Sequence, residues 1–324
     1  MRLANITMTE TFTTCTFESK ERKQTITVSA VYITSRETSK SQSKLAIDSC
    51  PAAFVLAHGS SGNLKNLLPT ARKLVAASSF PCCLFNFFYR EQGKRFPSKM
   101  ENNTEDLRFV SQSFCDHCET HFKLRISSLI LGGRSYGCRV SCHLFNSLAH
   151  NPLKVENSEG LREVKARGLL FLAYPLHPPS KTTNLRDGPL RGLSEDAHCL
   201  FVTGERDALC TLSILRSILA DLQCQNCELF ILPTADHSLK VRVKENRLSQ
   251  AQAEQKVIDQ VILWMCSALH LSPVPVKQPL VTSQTTEQQS DSVAITTDYF
   301  KRAAPGRGTA SSASKRRRTQ RYAT

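Results

Sequence analysis

Six short apolar runs that do not alternate with polar residues constrain this chain more than any other feature. They are Ala53–Ala57, Cys82–Phe88, Ser127–Leu131, Gly168–Ala173, Leu200–Thr203 and Glu228–Leu232. A strand with one wet face alternates in polarity, so a run that is apolar throughout reads as a strand buried on both faces. Helical patterns separate the runs. Residues 64–77 place Leu64, Leu67, Leu68, Ala71, Leu74 and Val75 at helical spacing. Residues 104–122 open on Thr104, Glu105 and Asp106, suited to a cap and first turn, and offer Leu107, Val110, Phe114 and Phe122 for burial. Further helices are expected at 137–149, 209–222 and 250–269. Repeated alternation of strand and helix implies crossover connections, hence a mostly parallel central sheet with helices on both faces. Upstream, the β-rich runs Glu10–Phe17 and Thr25–Ile33 flank the charged stretch Glu18–Lys23, which reads as the loop of an antiparallel N-terminal hairpin.

The composition changes near Ser272 to Pro, Gln, Ser and Thr with isolated charges, too little apolar surface to order a segment. The expected organisation is a folded domain over 1–272 and a disordered basic tail over 273–324. Residues 301–324 hold eight basic residues and no acid, against a net charge of +14 for all 324 residues, so most of the excess lies in the tail. There Lys301 and Arg302 precede Lys315, Arg316, Arg317 and Arg318 by twelve residues, the form of a bipartite signal for a nuclear import receptor. Such a run attracts nucleic acid weakly and non-specifically, and no interleaved aromatics provide a base-stacking platform. The N-terminus lacks the apolar core of a secretion signal, and no stretch approaches the roughly 20 apolar residues of a membrane span. An intracellular protein with no membrane partner, in nucleus and cytoplasm, is expected. The thirteen cysteines are odd in number, and several sit inside apolar runs, which suits buried free thiols in a reducing compartment. Cys115/Cys118 and Cys224/Cys227 have the C-x-x-C spacing of zinc ligands. They lie about a hundred residues apart, however, and the topology gives no reason for them to meet, so no metal site is expected.

The sharpest chemical signal is Gly133-Arg134-Ser135-Tyr136-Gly137, after an apolar strand and before a helical pattern. A strand-to-helix turn this tight needs minimal side chains two residues before and after the serine, and it raises Ser135 Oγ above the sheet edge at a helix N-terminus. A serine hydroxyl is a poor nucleophile until a base held by an acid takes its proton. At such turns acid and then base follow at later strand ends. Asp207, in GERD after LFVTG, and His237, in ADHS after LFILP, occupy those places. Glu205 and Asp236 compete for the acid's role, though Asp236 is adjacent to the imidazole it would have to reach. The backbone amide of Tyr136 is one oxyanion donor. The loop His58-Gly59-Ser60-Ser61-Gly62 supplies the second, from Ser60 with Ser61 as alternate. Arg134 and Arg139 flank the turn, either to attract an anion or as ion-pair partners.

HGSSG, LGGRSYGCR, YPLHPP followed by LRD, FVTGERDALC and DHSLK, in that order over about residues 50–270, resemble the α/β-hydrolase-like proteins related to testis-expressed protein 30. That family includes subunit 3 of the non-specific-lethal acetyltransferase complex and is similar to dienelactone-hydrolase-type enzymes. The resemblance implies an α/β-hydrolase fold with nucleophile Ser135, acid Asp207 and base His237, and no cofactor. Tyr136 departs from the methionine of close relatives, narrowing the pocket or offering a hydroxyl to substrate. Some members have lost the nucleophile, whereas this chain keeps all three residues. The stretch between Tyr174 and Cys199 leaves room only for a minimal cap, which suits a small or polar acyl substrate. The expected function is therefore ester or thioester hydrolysis. The alternative is a non-catalytic interaction module among the proteins of a nuclear, chromatin-associated complex.

Overall fold

A computed structural model describes residues 6–37, 48–157, 160–224, 226–246, 248–269 and 298–299. The N-terminal hairpin is longer than its apolar pattern: β1 (Ile6–Ser19) and β2 (Gln24–Glu37) pair antiparallel along their whole length. There follow β3 (Asp48–Cys50), β4 (Ala53–Ala57), α1 (Leu68–Ser78), β5 (Cys82–Phe85), α2 (Phe88–Glu91) and α3 (Met100–His121). The middle of the chain forms β6 (Leu124–Ile126), β7 (Ser128–Arg134), α4 (Tyr136–Leu148), β8 (Leu153–Asn157), β9 (Gly160–Leu172) and α5 (Gly188–Arg191). The last part forms β10 (His198–Gly204), α6 (Leu212–Asp221), β11 (Asn226–Leu232), α7 (Val243–Asn246), α8 (Gln250–Ala268) and β12 (Asp298–Tyr299).

The main sheet runs β1-β2-β5-β4-β7-β9-β10-β11-β12. Along that path every pairing from β5 to β11 is parallel, β1, β2 and β12 are antiparallel additions at the two edges, and β8 pairs antiparallel with β9 off the path. This is the α/β-hydrolase arrangement that the sequence resembles. Each central strand sends alternate residues to opposite faces. Val55, Leu131, Phe171 and Phe201 join the core under α3, α4 and α6, whereas Phe54, Ile130, Leu170 and Val202 join the core under α1 and α8. Cys115 and Cys118 are buried in α3 as part of the first core. Apart from β12, residues 270–324 lie outside the described residues, and with them the basic tail and its proposed import signal. No helix among the described residues is long and apolar enough to cross a membrane.

Several boundaries differ from those expected. The helix expected from residue 64 is split: Asn63 caps a 3-10 turn, Leu64–Asn66, and α1 proper begins at Leu68 with a proline in its first turn. α3 begins at Met100 rather than Thr104, and the Thr104 hydroxyl donates back to the Met100 carbonyl at 2.9 Å. The β5 strand stops at Phe85, where the Asn86 side chain accepts the Leu64 amide at 2.8 Å and the chain turns into α2. The β8–β9 hairpin and the small β3–β6 sheet escape the apolar pattern, because their outer residues are mostly polar.

One buried charge cluster ties the N-terminal hairpin to the domain. From the β1–β2 turn, Arg22 reaches Asp106 at 2.6 Å and Glu105 at 3.0 Å on α3. The Asp106 carboxylate, buried completely, also accepts the Phe88 amide at 3.0 Å. Burial outweighs these partners and holds the Asp106 pKa above the ordinary carboxylate value. Removing one partner of a buried pair leaves the other charge uncompensated, at about 3–5 kcal/mol. Arg22→Ala should lose stability of that order in urea unfolding, and a loss below about 1 kcal/mol would mean the cluster is solvated.

Candidate active site

Ser135 stands between β7 and α4 with φ 52° and ψ −113°, a conformation that serine adopts only under constraint. The constraint is the close approach of β4. A Cβ at either Gly133 or Gly137 would stand 2.1 Å from the Ala57 carbonyl oxygen, so neither position accepts a side chain without backbone movement. On its other side the Ser135 amide donates to the Leu172 carbonyl at 3.0 Å, which ties the turn to the end of β9.

The three residues predicted from spacing and order meet at the carboxyl edge of the sheet. His237 Nε2 lies 2.8 Å from Ser135 Oγ, and its Nδ1 lies 2.9 and 2.8 Å from the two Asp207 oxygens. Asp207 is acceptor-only, so Nδ1 carries the proton and the Nε2 lone pair faces the serine hydroxyl. The Asp207 side chain is fully buried, and it also accepts the Leu209 amide at 2.8 Å. That bond explains why α6 starts at Leu212 instead of residue 209. The competing acids hold loops instead. Asp236 accepts the amides of Ser238 and Lys240 at 2.7 and 3.1 Å, and Glu205 accepts the Thr234 amide at 2.8 Å.

The 58–62 loop presses against Ser135 at Gly59, where an added Cβ would lie 3.6 Å from Ser135 Cβ. Among the described residues, neither the Tyr136 nor the Ser60 amide has a backbone acceptor, and neither does Ser61. The Ser60 carbonyl accepts the Tyr89 hydroxyl at 2.7 Å. The Tyr136 phenol, pushed up to about 12 by burial, is not offered to the site: its oxygen accepts from Asn103 Nδ2 of α3 at 2.9 Å. Neither Arg134 nor Arg139 makes a salt bridge among the described residues. Arg134 lines a cavity of about 80 Å³ with Leu67, Leu172 and Ser238, and burial pulls its pKa down. Arg139 keeps a buried Nε without a hydrogen-bond partner.

Two histidines that sequence reasoning passed over fix the surrounding loops. His58 Nε2 accepts the Phe87 amide at 3.2 Å, so its Nδ1–H donates to the Gly59 carbonyl at 2.7 Å. Its position in the HGSSG loop, directly after a buried strand, was the available signal. His177 opens the cap. Its Nε2 accepts the Thr211 amide at 3.0 Å, and its own amide donates to the Leu209 carbonyl at 3.0 Å, tying the cap to the Asp207 loop.

Known proteins share the fold. The model of the alpha/beta hydrolase domain family matches residues 51–266. Dienelactone hydrolase from Anabaena variabilis is 14% identical, over 80% of this chain and 98% of that one, with a TM-score of 0.51. An alpha-beta serine hydrolase homologue from Coxiella burnetii is 12% identical over 77% and 97%, with a TM-score of 0.50. A bacterial heroin esterase is 14% identical over 77% and 84%, also with a TM-score of 0.50. At these identities the likeness is one of fold.

Burial pulls the His58 pKa down from 6.5 to about 4. A depressed histidine stabilises the fold fully above its unfolded pKa and loses that contribution as pH falls from 6.5 toward 4. Denaturant unfolding at a series of pH values should show the wild type losing about 1.4 kcal/mol per pH unit more than His58→Gln in that window. Parallel curves for the two proteins would place His58 in contact with solvent.

Proposed function

The chain belongs to the alpha/beta hydrolase domain family, and we propose that it is a serine-dependent acyl hydrolase of the esterase or thioesterase class. Family and fold support a hydrolase-type function. The observation that carries the finer reading is the unbroken relay from Ser135 Oγ through His237 to the buried Asp207.

In this reading His237 Nε2 takes the hydroxyl proton as Ser135 Oγ attacks the acyl carbon. Asp207 holds the imidazole in the required tautomer and stabilises the imidazolium that forms. The carbonyl oxygen, now an oxyanion, accepts from the Tyr136 amide at the start of α4 and from the Ser60 amide, with Ser61 the alternate donor. The imidazolium gives its proton to the leaving alkoxide or thiolate. Water activated by His237 then attacks the acyl-enzyme, and Ser135 is regenerated. Between β9 and β10 the cap holds a single four-residue helix, α5, which supports a small or polar acyl group rather than a long chain.

Within the family we place the chain with the relatives of testis-expressed protein 30, on the HGSSG, LGGRSYGCR and DHSLK segments. We assign nuclear import to Lys301, Arg302 and Lys315–Arg318. Partners in a chromatin-associated complex are the alternative use of the fold, favoured by that tail. Deleting residues 273–324 should shift a fluorescent fusion from nucleus to cytoplasm, and an unchanged distribution would remove the import reading.

Covalent labelling by a fluorophosphonate tests the chemistry. The wild type should label at Ser135, and Ser135→Ala should lose both the label and at least about 10⁴-fold of acyl-ester turnover. A wild-type protein that neither labels nor turns over short-chain esters and thioesters would leave only the interaction reading.

A further inference from the structure

The C-x-x-C pair at Cys224 and Cys227 meets a third thiol, and Cys115 and Cys118 of α3 are not in that group. Cys199 and Cys227 each hold the second position of their strands, β10 and β11, and are direct partners in the parallel ladder. Their side chains therefore leave the same face of the sheet. Cys224 lies on the connection from α6 and folds back over them. Its Sγ is 3.3 Å from Cys227 Sγ and 2.9 Å from the Ala197 carbonyl oxygen. The three sulfurs lie within 4.8 Å of one another, and all three residues are buried.

The dimensions of this triangle are those of a ligand set. A tetrahedral ion with metal–sulfur bonds of about 2.3 Å spaces its sulfurs roughly 3.8 Å apart, and here all three sulfurs lie within 4.8 Å of one another, one pair at 3.3 Å. Packing as small hydrophobes requires no such convergence from a ladder pair and a loop. A disulfide between Cys224 and Cys227 would leave Cys199 unexplained. His198 is adjacent in sequence, but strand alternation turns it to the opposite face from Cys199, so the donors are sulfur. Thiolates select soft d¹⁰ ions over magnesium or calcium.

We propose that Cys199, Cys224 and Cys227 bind one zinc ion through their three thiolates. Each ligating thiol releases its proton to solvent as the ion binds. The site lies where β10 and β11 begin, at the opposite edge of the sheet from Ser135, Asp207 and His237. Its role is structural: it joins two parallel strands and the end of the α6 connection, and it takes no part in acyl transfer.

The test uses the full chain without an affinity tag, purified under reducing conditions from zinc-supplemented cells. Elemental analysis should find about one zinc per chain. Cys199→Ser and Cys227→Ser, checked for folding by circular dichroism, should retain at least tenfold less. Because those variants can fail to fold, cobalt exchange on the wild type gives a second readout. The proposal requires thiolate-to-cobalt charge-transfer absorption, and a melting temperature that falls on chelation and recovers with zinc but not magnesium. Sub-stoichiometric metal without a cobalt band would overturn it. So would undiminished zinc in a folded Cys199→Ser protein, or a Cys224–Cys227 disulfide in metal-free protein. None of these readouts depends on Ser135, so the site stands or falls apart from the hydrolase reading.

Discussion

The carbonyl oxygen of Ala57 is the point on which the site is built. It occupies the space where two side chains would otherwise begin, at Gly133 and Gly137, and this lets β7 turn into α4 within a single residue. The residue left at the apex, Ser135, takes a backbone conformation of the kind that costs of order 1–3 kcal/mol. That strain persists because the parallel ladder holds Ala57 opposite Gly133, and the end of β9 holds the Ser135 amide. The geometry at Ser135 is thus a property of three adjacent strands rather than of one loop.

Around this apex, buried polar side chains do the positioning. His58 clamps the glycine-rich loop to the start of α2, His177 clamps the cap to the Asp207 loop, and Asn103 holds Tyr136 against α3. Each is nearly or wholly buried, where an unmade hydrogen bond would be costly. Their bonds therefore specify loop positions more tightly than apolar packing would. Arg22 does the same at longer range, joining the N-terminal hairpin to α3 through Asp106.

The central sheet was legible in the sequence because strands buried on both faces leave apolar runs that periodicity cannot disguise. Ser135, Asp207 and His237 were legible as positions because each follows one of those runs. What escaped depends on partners distant in the chain. Tyr136 looked like a residue facing substrate, yet its oxygen is taken by Asn103, thirty-three residues earlier. Thr104 looked like a cap, but α3 had begun a turn before it. Nothing in the C-x-x-C spacing at 224–227 reveals that Cys199 lies opposite Cys227 in the ladder. The β8–β9 hairpin was invisible for the opposite reason: its polar outer residues resemble a loop.

The strand order also sets a timetable. β4, β7 and β9, which together form the strained turn, are complete once about half of the polypeptide has been synthesised, whereas the imidazole arrives with residue 237. A chain that ended before the β11 loop would hold the residues of that turn but lack His237, whose Nε2 lies beside Ser135 Oγ. The contact of Ser135, His237 and Asp207 is therefore completed only by the last of the parallel strands, β11, and the loop that follows it.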